Sequence, residues 1–246
     1  MTLGDDELER YARHIVLPQV GGVGQRKLKA ARVAVVGAGG IGSAVIPALA
    51  GAGVGRLTIV DGDTVDLDNL HRQLIYREID QGSGKAERAA AFAAALNHFV
   101  EAMPVAARLT RENAAEILQD QDLVVDGSDN FATRLAVGDT CVALGIPLVS
   151  AAAIQFQGQV GLFEARPCYR CFVGSAFDSE DCDNCAELGV LGALAAAAGS
   201  FAAMIAINRL VGIGPVEPGL VHLLDGERLV WRQFRIPADP ACQVCG

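Results

Sequence analysis

"RVAVVGAGGIGS" (residues 32–43) joins an apolar run of strand length to a glycine-rich turn and a predicted helix. The turn fits the pattern G-x-G-x-x-G with Gly37, Gly39 and Gly42. Glycines allow a tight turn and a close approach to phosphate oxygens, and the helix N-terminus adds free N–H groups. The next strand, "RLTIV", ends at Asp61, where an acid can hold ribose hydroxyls. These features predict a βαβ nucleotide-binding unit, although a glycine-rich turn can also serve packing alone.

Strand and helix patterns alternate along the first two thirds of the chain and predict an α/β fold. Strands are expected at residues 32–36, 56–60, 102–109, 123–125 and 147–151, and helices at 6–16, 24–30, 85–98, 112–119 and 130–144. Residues 157–165 alternate like an antiparallel strand, and residues 220–236 predict a hairpin around Asp225 and Gly226. We therefore expect a Rossmann-like, mostly parallel sheet that continues into an antiparallel C-terminal half.

The same patterns predict one domain over residues 1–246, made of three parts. An N-terminal helical segment spans residues 1–31, a nucleotide-binding half spans 32–151, and a second half spans 152–246. The second half contains a 20-residue stretch, 188–207, that has no charge and includes eight alanines and three glycines. Its weak hydrophobicity favours a buried helix, at a subunit interface, over a membrane span.

Charge and targeting signals narrow the class of protein. A net charge of −9 argues against a nucleic-acid partner, because phosphate binding needs clustered Lys and Arg. The N-terminus is acidic and lacks the apolar core of a signal peptide, so we expect a cytoplasmic protein without a membrane partner. Six of the seven cysteines form C-x-x-C pairs, which in a reducing compartment indicate metal or redox sites rather than disulfides.

The stretches that follow the second strand indicate whether the bound nucleotide is NAD or ATP. "DGDTVDLDNLHRQ" (residues 61–73) and "GSGKAE" (82–87) supply Asn69, Arg72 and Lys85, and the chain has no P-loop pattern. Alone, each basic residue could be a solvated surface charge. Together they suit ATP cleavage at the α-phosphate, where negative charge builds up as pyrophosphate leaves.

"VVDGSDNFATR" (residues 124–134) adds two acids, Asp126 and Asp129, at the C-terminal end of another predicted strand. Ligands bind at this edge of open α/β sheets, and a carboxylate there can position Mg²⁺ against phosphate oxygens. The alternative is an Asp-Gly turn followed by a helix cap.

These pieces, in this order, resemble the ubiquitin-activating-type adenylyltransferase family, in particular its bacterial ThiF, MoeB and HesA type. The resemblance covers nearly the whole chain, from "RYARHIVLP" through the segments above to "CYRC", "CAELGVLG" and the terminal "CQVCG". It implies an enzyme that uses ATP with Mg²⁺ to adenylate the C-terminal Gly-Gly carboxylate of a small ubiquitin-like sulfur-carrier protein. A homodimer is implied as well, and a separate sulfur donor is expected because the sequence ends soon after the last cysteine pair.

The resemblance also implies roles for individual residues. The nucleotide-binding set is Gly37, Gly39, Gly40, Gly42, Asp61, Asp63, Asn69, Arg72, Gln73, Lys85, Asp129 and Asn130. The catalytic set is Arg13, Arg72, Lys85, Asp129 and Cys185. In this scheme Arg13 reaches the active site of the opposite subunit, and Asp129 serves Mg²⁺ and the transition state.

The cysteines allow two different metal sites. Spacing alone favours a compact zinc knuckle built from the neighbouring pairs Cys168/Cys171 and Cys182/Cys185. The resemblance instead implies a structural Zn²⁺ held by Cys168, Cys171, Cys242 and Cys245. It leaves Cys185 as a thiol that could bond to the activated carrier, and Cys182 as a resolving thiol, a redox switch or an inert neighbour. Cys141 is expected to be a buried small hydrophobe.

Three other functions compete with adenylation of a molybdopterin-synthase-type carrier. The carrier could belong to the thiamine pathway, with Cys185 forming a covalent link. A nicotinamide-dependent oxidoreductase would need a His-centred site, but the histidines at positions 14, 71, 98 and 222 are scattered. A non-catalytic zinc-bearing module would not need Asn69, Arg72, Lys85 and Asp129.

Overall fold

The computed structural model describes residues 2–174 and 189–246, and in them one eight-stranded sheet runs in the order β3-β2-β1-β4-β5-β6-β7-β8. The strands are β1 Arg32–Val36, β2 Arg56–Val60, β3 Glu101–Val105, β4 Leu123–Asp126, β5 Leu148–Ile154, β6 Gln157–Phe163, β7 Leu220–Asp225 and β8 Val230–Arg235. The α-helices are α1 Asp5–Arg10, α2 Ala12–Ile15, α3 Gly21–Ala30, α4 Gly42–Ala52, α5 Lys85–Leu96, α6 Ala114–Leu118, α7 Phe131–Leu144, α8 Tyr169–Val173 and α9 Gly192–Val211. Two 3₁₀ turns, Leu67–Asn69 and Glu78–Asp80, lie between β2 and α5.

The sheet changes from parallel to antiparallel at β5, as the sequence predicts. Strands β1 to β5 pair in parallel, and β5, β6, β7 and β8 pair antiparallel in sequence order. The neighbours of β1 are β2 on one side and β4 on the other, so the chain winds in opposite directions from this strand. Such a switch opens a crevice at the carboxyl ends of the strands, and this places the candidate site.

The long apolar helix α9 packs against α4 and against strands β5 and β6. Small residues permit the close approach, because a Cβ at Gly199 would lie 2.5 Å from the carbonyl oxygen of Ile41. Among the described residues, α9 is the single helix that has the length and apolar composition to cross a membrane. Half of its most apolar stretch is buried inside the fold. It lies where the sequence predicts a buried helix.

Several predicted element boundaries differ from the structure, and three of these differences have a local cause. The helix expected over residues 6–16 is broken at Tyr11, whose backbone leaves the helical conformation as its ring packs on Gly53. The strand expected over 102–109 ends at Val105, because the paired strand β2 ends at Val60. The helix expected over 85–98 ends at Leu96, and the buried Asn97 side chain bonds the carbonyl of Ala50 instead.

Candidate active site

A cavity of about 1390 Å³ opens at the carboxyl ends of β1, β2 and β4. Eleven of the twelve residues predicted to bind nucleotide line it: Gly37, Gly39, Gly40, Asp61, Asp63, Asn69, Arg72, Gln73, Lys85, Asp129 and Asn130. The sequence stretches that supply them are up to about a hundred residues apart, and the strand order brings them to one place. The twelfth, Gly42, does not line the cavity and lies in the first turn of α4.

The glycines of the glycine-rich turn have two roles: some allow the backbone to pack closely, and others leave the cavity open. Gly37 has a φ of +87°, and a Cβ there would lie 2.9 Å from the backbone nitrogen of Ser128. A Cβ at Gly42 would lie 2.2 Å from the carbonyl oxygen of Gly37, so this glycine serves packing within the turn. At Gly39 the nearest atom to such a Cβ would be 3.7 Å away, and this residue lines the cavity. The packing interpretation therefore holds for Gly37 and Gly42, and phosphate binding at Gly39 stays a prediction.

Asp61 connects the end of β2 to the glycine-rich turn. Its Oδ2 accepts a hydrogen bond from the Ala38 N–H at 2.8 Å, and its Oδ1 accepts one from the Asp63 N–H at 2.8 Å. Burial raises the pKa of Asp61 more than these N–H groups and the charge of Lys85 lower it. The carboxylate thus holds the turn in place while it lines the cavity wall, where it can accept from ribose hydroxyls.

Two predicted cations converge on the cavity. The Lys85 side chain is 8% exposed, and its Nζ lies 3.3 Å from Oδ2 of Asp63. Arg72 donates to the Asp68 carbonyl at 3.1 Å, and the same Nη1 lies 2.9 Å from Nε2 of His71. Because Lys85 is nearly buried with only a half-exposed acid beside it, its charge is well placed to act on an anionic ligand.

Asn69 and Gln73 project amide groups into the same space. Both side chains are buried, and neither Asn69 Oδ1 nor Gln73 Oε1 has a hydrogen-bond donor within the part of the chain that the structure describes. Asn69 Nδ2 donates to Asp68 Oδ1 at 2.7 Å, which fixes the orientation of its amide. Buried acceptors without donors are uncommon in folded proteins, so these oxygens are suited to a ligand hydroxyl or N–H group.

The acid that ends β4, Asp126, and the acid in the following turn, Asp129, have different roles. Asp126 is fully buried and accepts from Ser128 N at 3.0 Å and Ser128 Oγ at 2.7 Å, so it builds the turn. Asn130 caps α7 by accepting from the Thr133 N–H at 2.8 Å. Asp129 is exposed on the cavity wall, where its carboxylate could ligate Mg²⁺. The turn-and-cap interpretation therefore holds for Asp126 and Asn130.

Two arginines that line the cavity have no distinguishing signal in the sequence. Arg108 lines the cavity and lies 4.0 Å from Asp63 Oδ1. Arg134 is buried and donates to the Ala151 carbonyl at 3.0 Å and, more closely, to the Ser128 carbonyl. Arg134 is the last residue of the stretch "VVDGSDNFATR", which the sequence predicts to lie at the site. Nothing in the sequence, however, distinguishes a buried arginine from a surface arginine.

Arg13 lies apart from these residues. It is exposed on α2 and does not line the cavity formed by the described residues of its own chain. Its predicted reach into a second subunit stays a prediction.

Four cysteines meet at the end of the chain. Their sulfur atoms lie within 4.8 Å of one another, with Cys168–Cys242 at 3.6 Å and Cys171–Cys245 at 3.4 Å. Tetrahedral Zn²⁺ with Zn–S bonds of about 2.3 Å needs sulfur atoms about 3.8 Å apart, so the cluster fits that ion. Burial opposes ionisation of Cys242, yet the N–H groups of Val244 and Cys245 and the neighbouring thiols lower its pKa to about 7.

The cluster is anchored to α7 through α8. Arg170 forms two hydrogen bonds of 2.9 Å to the carboxylate of Asp139 on α7. Gly138 lets Tyr169 approach α7 closely, because a Cβ there would lie 3.0 Å from the Tyr169 Cβ. The cysteine cluster therefore ties the C-terminus to the helix that follows the Asp129 turn.

Of the three remaining cysteines, Cys141 lies within the described residues. Cys141 is buried in α7, as expected, and burial raises its pKa. Cys182 and Cys185 lie outside the described residues, so the predictions for their roles stay predictions.

The ThiF family matches residues 11–244 of the chain. The chain is 46% identical to the "Sulfur carrier protein adenylyltransferase" of Thermus thermophilus, covering 98% of this chain and 92% of that protein. It is 42% identical to the "SAMP-activating enzyme E1" of Haloferax volcanii, covering 100% and 92%. It is also 42% identical to the "Adenylyltransferase and sulfurtransferase MOCS3" of Anopheles gambiae, covering 99% of this chain but only 56% of that protein. The predicted family resemblance is confirmed.

Solved structures share the fold at lower sequence identity. E. coli MccB with ATP aligns with a TM-score of 0.84 at 24% identity, over 100% of this chain and 77% of that chain. E. coli MccB with MccA-N7isoASN aligns with a TM-score of 0.85 at 22% identity, over 97% and 74%. These matches confirm the predicted mixed α/β architecture, with a sheet that turns from parallel to antiparallel.

Proposed function

The chain belongs to the ThiF family, and on that premise we propose that it adenylates the C-terminal carboxylate of a small ubiquitin-like sulfur-carrier protein that ends in Gly-Gly. The enzyme class, adenylyltransferase, is that of the relatives from Thermus thermophilus and Anopheles gambiae. The observation that carries the proposal is the single cavity that collects the glycine-rich turn, Asp61, Lys85, Arg72 and Asp129.

The proposed reaction is a displacement at the α-phosphate of ATP. A carboxylate oxygen of the carrier attacks the α-phosphorus, a P–O bond to the β-phosphate breaks, and pyrophosphate leaves with its electron pair. The product is a mixed acyl–AMP anhydride. Negative charge grows on the departing pyrophosphate, so cations fixed in advance beside it lower the barrier.

The described residues are suited to the parts of this reaction. The chain carries a net charge of −9 and several aspartates line the cavity, yet Lys85, Arg72 and Arg108 line it as well, so cations are available to a triphosphate bound there. The glycine-rich turn and Asp61 would hold the nucleotide. Mg²⁺, when bound, neutralises phosphate charge, and Asp129 is an exposed carboxylate of the cavity wall that would hold it.

Further details of the proposal rest on the family resemblance. The carrier would be of the molybdopterin-synthase small-subunit type, and adenylation would prime it for thiocarboxylation by sulfur from a separate donor. The protein would act as a cytoplasmic homodimer to which Arg13 contributes across the interface. Zn²⁺ held by the four clustered cysteines would fix the C-terminus. The thiamine-pathway carrier, with a covalent link to Cys185, is the alternative substrate.

The test is exchange of radiolabelled pyrophosphate into ATP with Mg²⁺ and a panel of purified Gly-Gly-ended carriers. We expect exchange with at least one carrier, and none when its last glycine is deleted. A matched control omits the carrier. Absence of exchange with every carrier, together with reduction of NAD by some substrate, would refute the proposal.

A further inference from the structure

Tyr76 stands directly behind two walls of the nucleotide cavity without lining it. It follows the 3₁₀ turn that carries Asn69 and lies three residues after Gln73. Its ring is 5% exposed and belongs to the apolar core beneath the glycine-rich turn. A phenol buried so deeply needs hydrogen-bond partners for its hydroxyl.

Both partners of the hydroxyl are main-chain atoms of the site. Tyr76 Oη donates to the carbonyl of Ala38 at 2.8 Å and lies 3.2 Å from the carbonyl of Lys85. Ala38 is the residue between Gly37 and Gly39, and Asp61 already accepts a hydrogen bond from its N–H. One hydroxyl therefore joins the glycine-rich turn to the first turn of α5.

Lys85 is also placed by its backbone, because it begins α5 and the residue before it, Gly84, forms a β-bridge with Thr64. The Lys85 N–H donates to the Asp63 carbonyl at 2.9 Å, and its Nζ contacts the carboxylate of the same residue. Asp63 is exposed and lies in the loop after β2, so it is a weak anchor. Tyr76 is a rigid, buried anchor, because its ring cannot move without opening the core.

We propose that Tyr76 is a positioning residue that sets the distance between the glycine-rich turn and Lys85, and so aligns the bound triphosphate with its cation. The inference rests on the proposed nucleotide site. The turn would hold ATP in the ground state, whereas Lys85 would act on charge that develops as pyrophosphate leaves. An error in their spacing would therefore affect turnover more than binding.

The ionisation of the phenol supports this role. Burial, together with the carboxylates of Asp61 and Asp80, raises the pKa of Tyr76 far above its ordinary value. The hydroxyl therefore stays protonated throughout the working pH range, and its single hydrogen, directed at the Ala38 carbonyl, is shared with the more distant Lys85 carbonyl.

The chain offers a matched control in Tyr11. This tyrosine is also buried, at 3% exposed, and its hydroxyl also makes one buried hydrogen bond, from Asn97 Nδ2 at 2.8 Å. It does not line the cavity among the described residues. Tyr11→Phe and Tyr76→Phe thus delete the same group from equally buried rings, one away from the site and one behind it.

The experiment compares ATP–pyrophosphate exchange in the wild type, Tyr76→Phe and Tyr11→Phe, with rates normalised to the folded fraction. We expect kcat of Tyr76→Phe to fall by about tenfold, the equivalent of one buried hydrogen bond, with a change in KM for ATP of less than about threefold. Tyr11→Phe should lower the melting temperature similarly and keep both constants at wild-type values.

Three results would overturn the inference. They are an unchanged kcat in Tyr76→Phe, an equal loss of kcat in both variants, and insolubility of Tyr76→Phe while Tyr11→Phe stays folded. Exchange by the wild-type protein is measured first. Its absence would count against the proposed function itself, so the two failures are distinguishable.

Discussion

Replacing Arg134 by Met should destabilise this protein more than most single substitutions. Arg134 is buried and donates hydrogen bonds to the carbonyls of Ser128 and Ala151, with a longer contact of 3.4 Å to Ser150 Oγ. It is also the cation that faces the buried carboxylate of Asp126, whose Oδ2 has no hydrogen-bond donor among the described residues. Met fills a similar volume but supplies neither donors nor charge.

The magnitude follows from these contacts. Each buried carbonyl left without its donor costs about 1–3 kcal/mol, and the Asp126 charge loses its compensating cation as well. We expect Arg134→Met to lower the free energy of unfolding by about 3–5 kcal/mol, a large part of the total of about 5–15 kcal/mol for an ordinary domain. Asp126→Asn should cost less, about 1–2 kcal/mol, because an amide oxygen can still accept from Ser128.

The loss should also depend on pH. Burial raises the pKa of Asp126, and Arg134 opposes that rise, so Arg134→Met should raise the pKa further. A carboxyl with a higher pKa in the folded than in the unfolded state takes up a proton on folding, so stability increases as pH falls through the raised value. The cost of Arg134→Met should therefore be smaller at about pH 5 than at about pH 7.5.

Urea unfolding at both pH values, for the two single variants and the double variant Arg134→Met/Asp126→Asn, measures these effects. Because the residues share one network, the double variant should lose about 1 kcal/mol less than the sum of the singles, and its cost should vary little with pH. Additive losses that do not change with pH would refute an electrostatic link between Arg134 and Asp126.

The other predictions concern the cavity and the cysteine cluster. Lys85→Ala should lower pyrophosphate exchange by about 100-fold or more, and near-normal exchange would remove Lys85 from the site. Gly42→Ala should cost about 1–3 kcal/mol in urea unfolding, because its Cβ would meet the Gly37 carbonyl oxygen, and an unchanged midpoint would contradict that contact. Metal analysis should find about one zinc per chain in the wild type and in Cys141→Ala and none in Cys242→Ala. Retention in Cys242→Ala with loss in Cys185→Ala would favour the local knuckle.

Features that depend on neighbouring residues were predictable from the sequence. The run from β1 through the glycine-rich turn to α4 follows from apolar patterning and from glycines at fixed spacing. Asn130 as the cap of α7 and the hairpin of β7 and β8 are equally local. The change from parallel to antiparallel strands was also visible, because buried parallel strands and half-exposed antiparallel strands differ in pattern.

Contacts between distant residues could not be predicted in this way. Spacing alone favours the pair Cys182/Cys185 as the partner of Cys168, yet Cys168 meets Cys242, 74 residues away. The pairing follows from the path of β7 and β8, which returns the chain end to α8, and ligand spacing carries no information about that path.

Burial was the second property that needed the tertiary structure. The sequence presented Asp126 and Asp129 as equivalent acids at a strand end, but the fold buries the first within a turn and exposes the second on the cavity wall. It likewise buries Arg134 and uses Tyr76 to join the glycine-rich turn to α5. The sequence alone determined which chemical groups this protein possesses and which local elements carry them. The tertiary structure decided which groups support the site and which face the cavity, because the cost of burying a charge depends on the partners that packing brings to it.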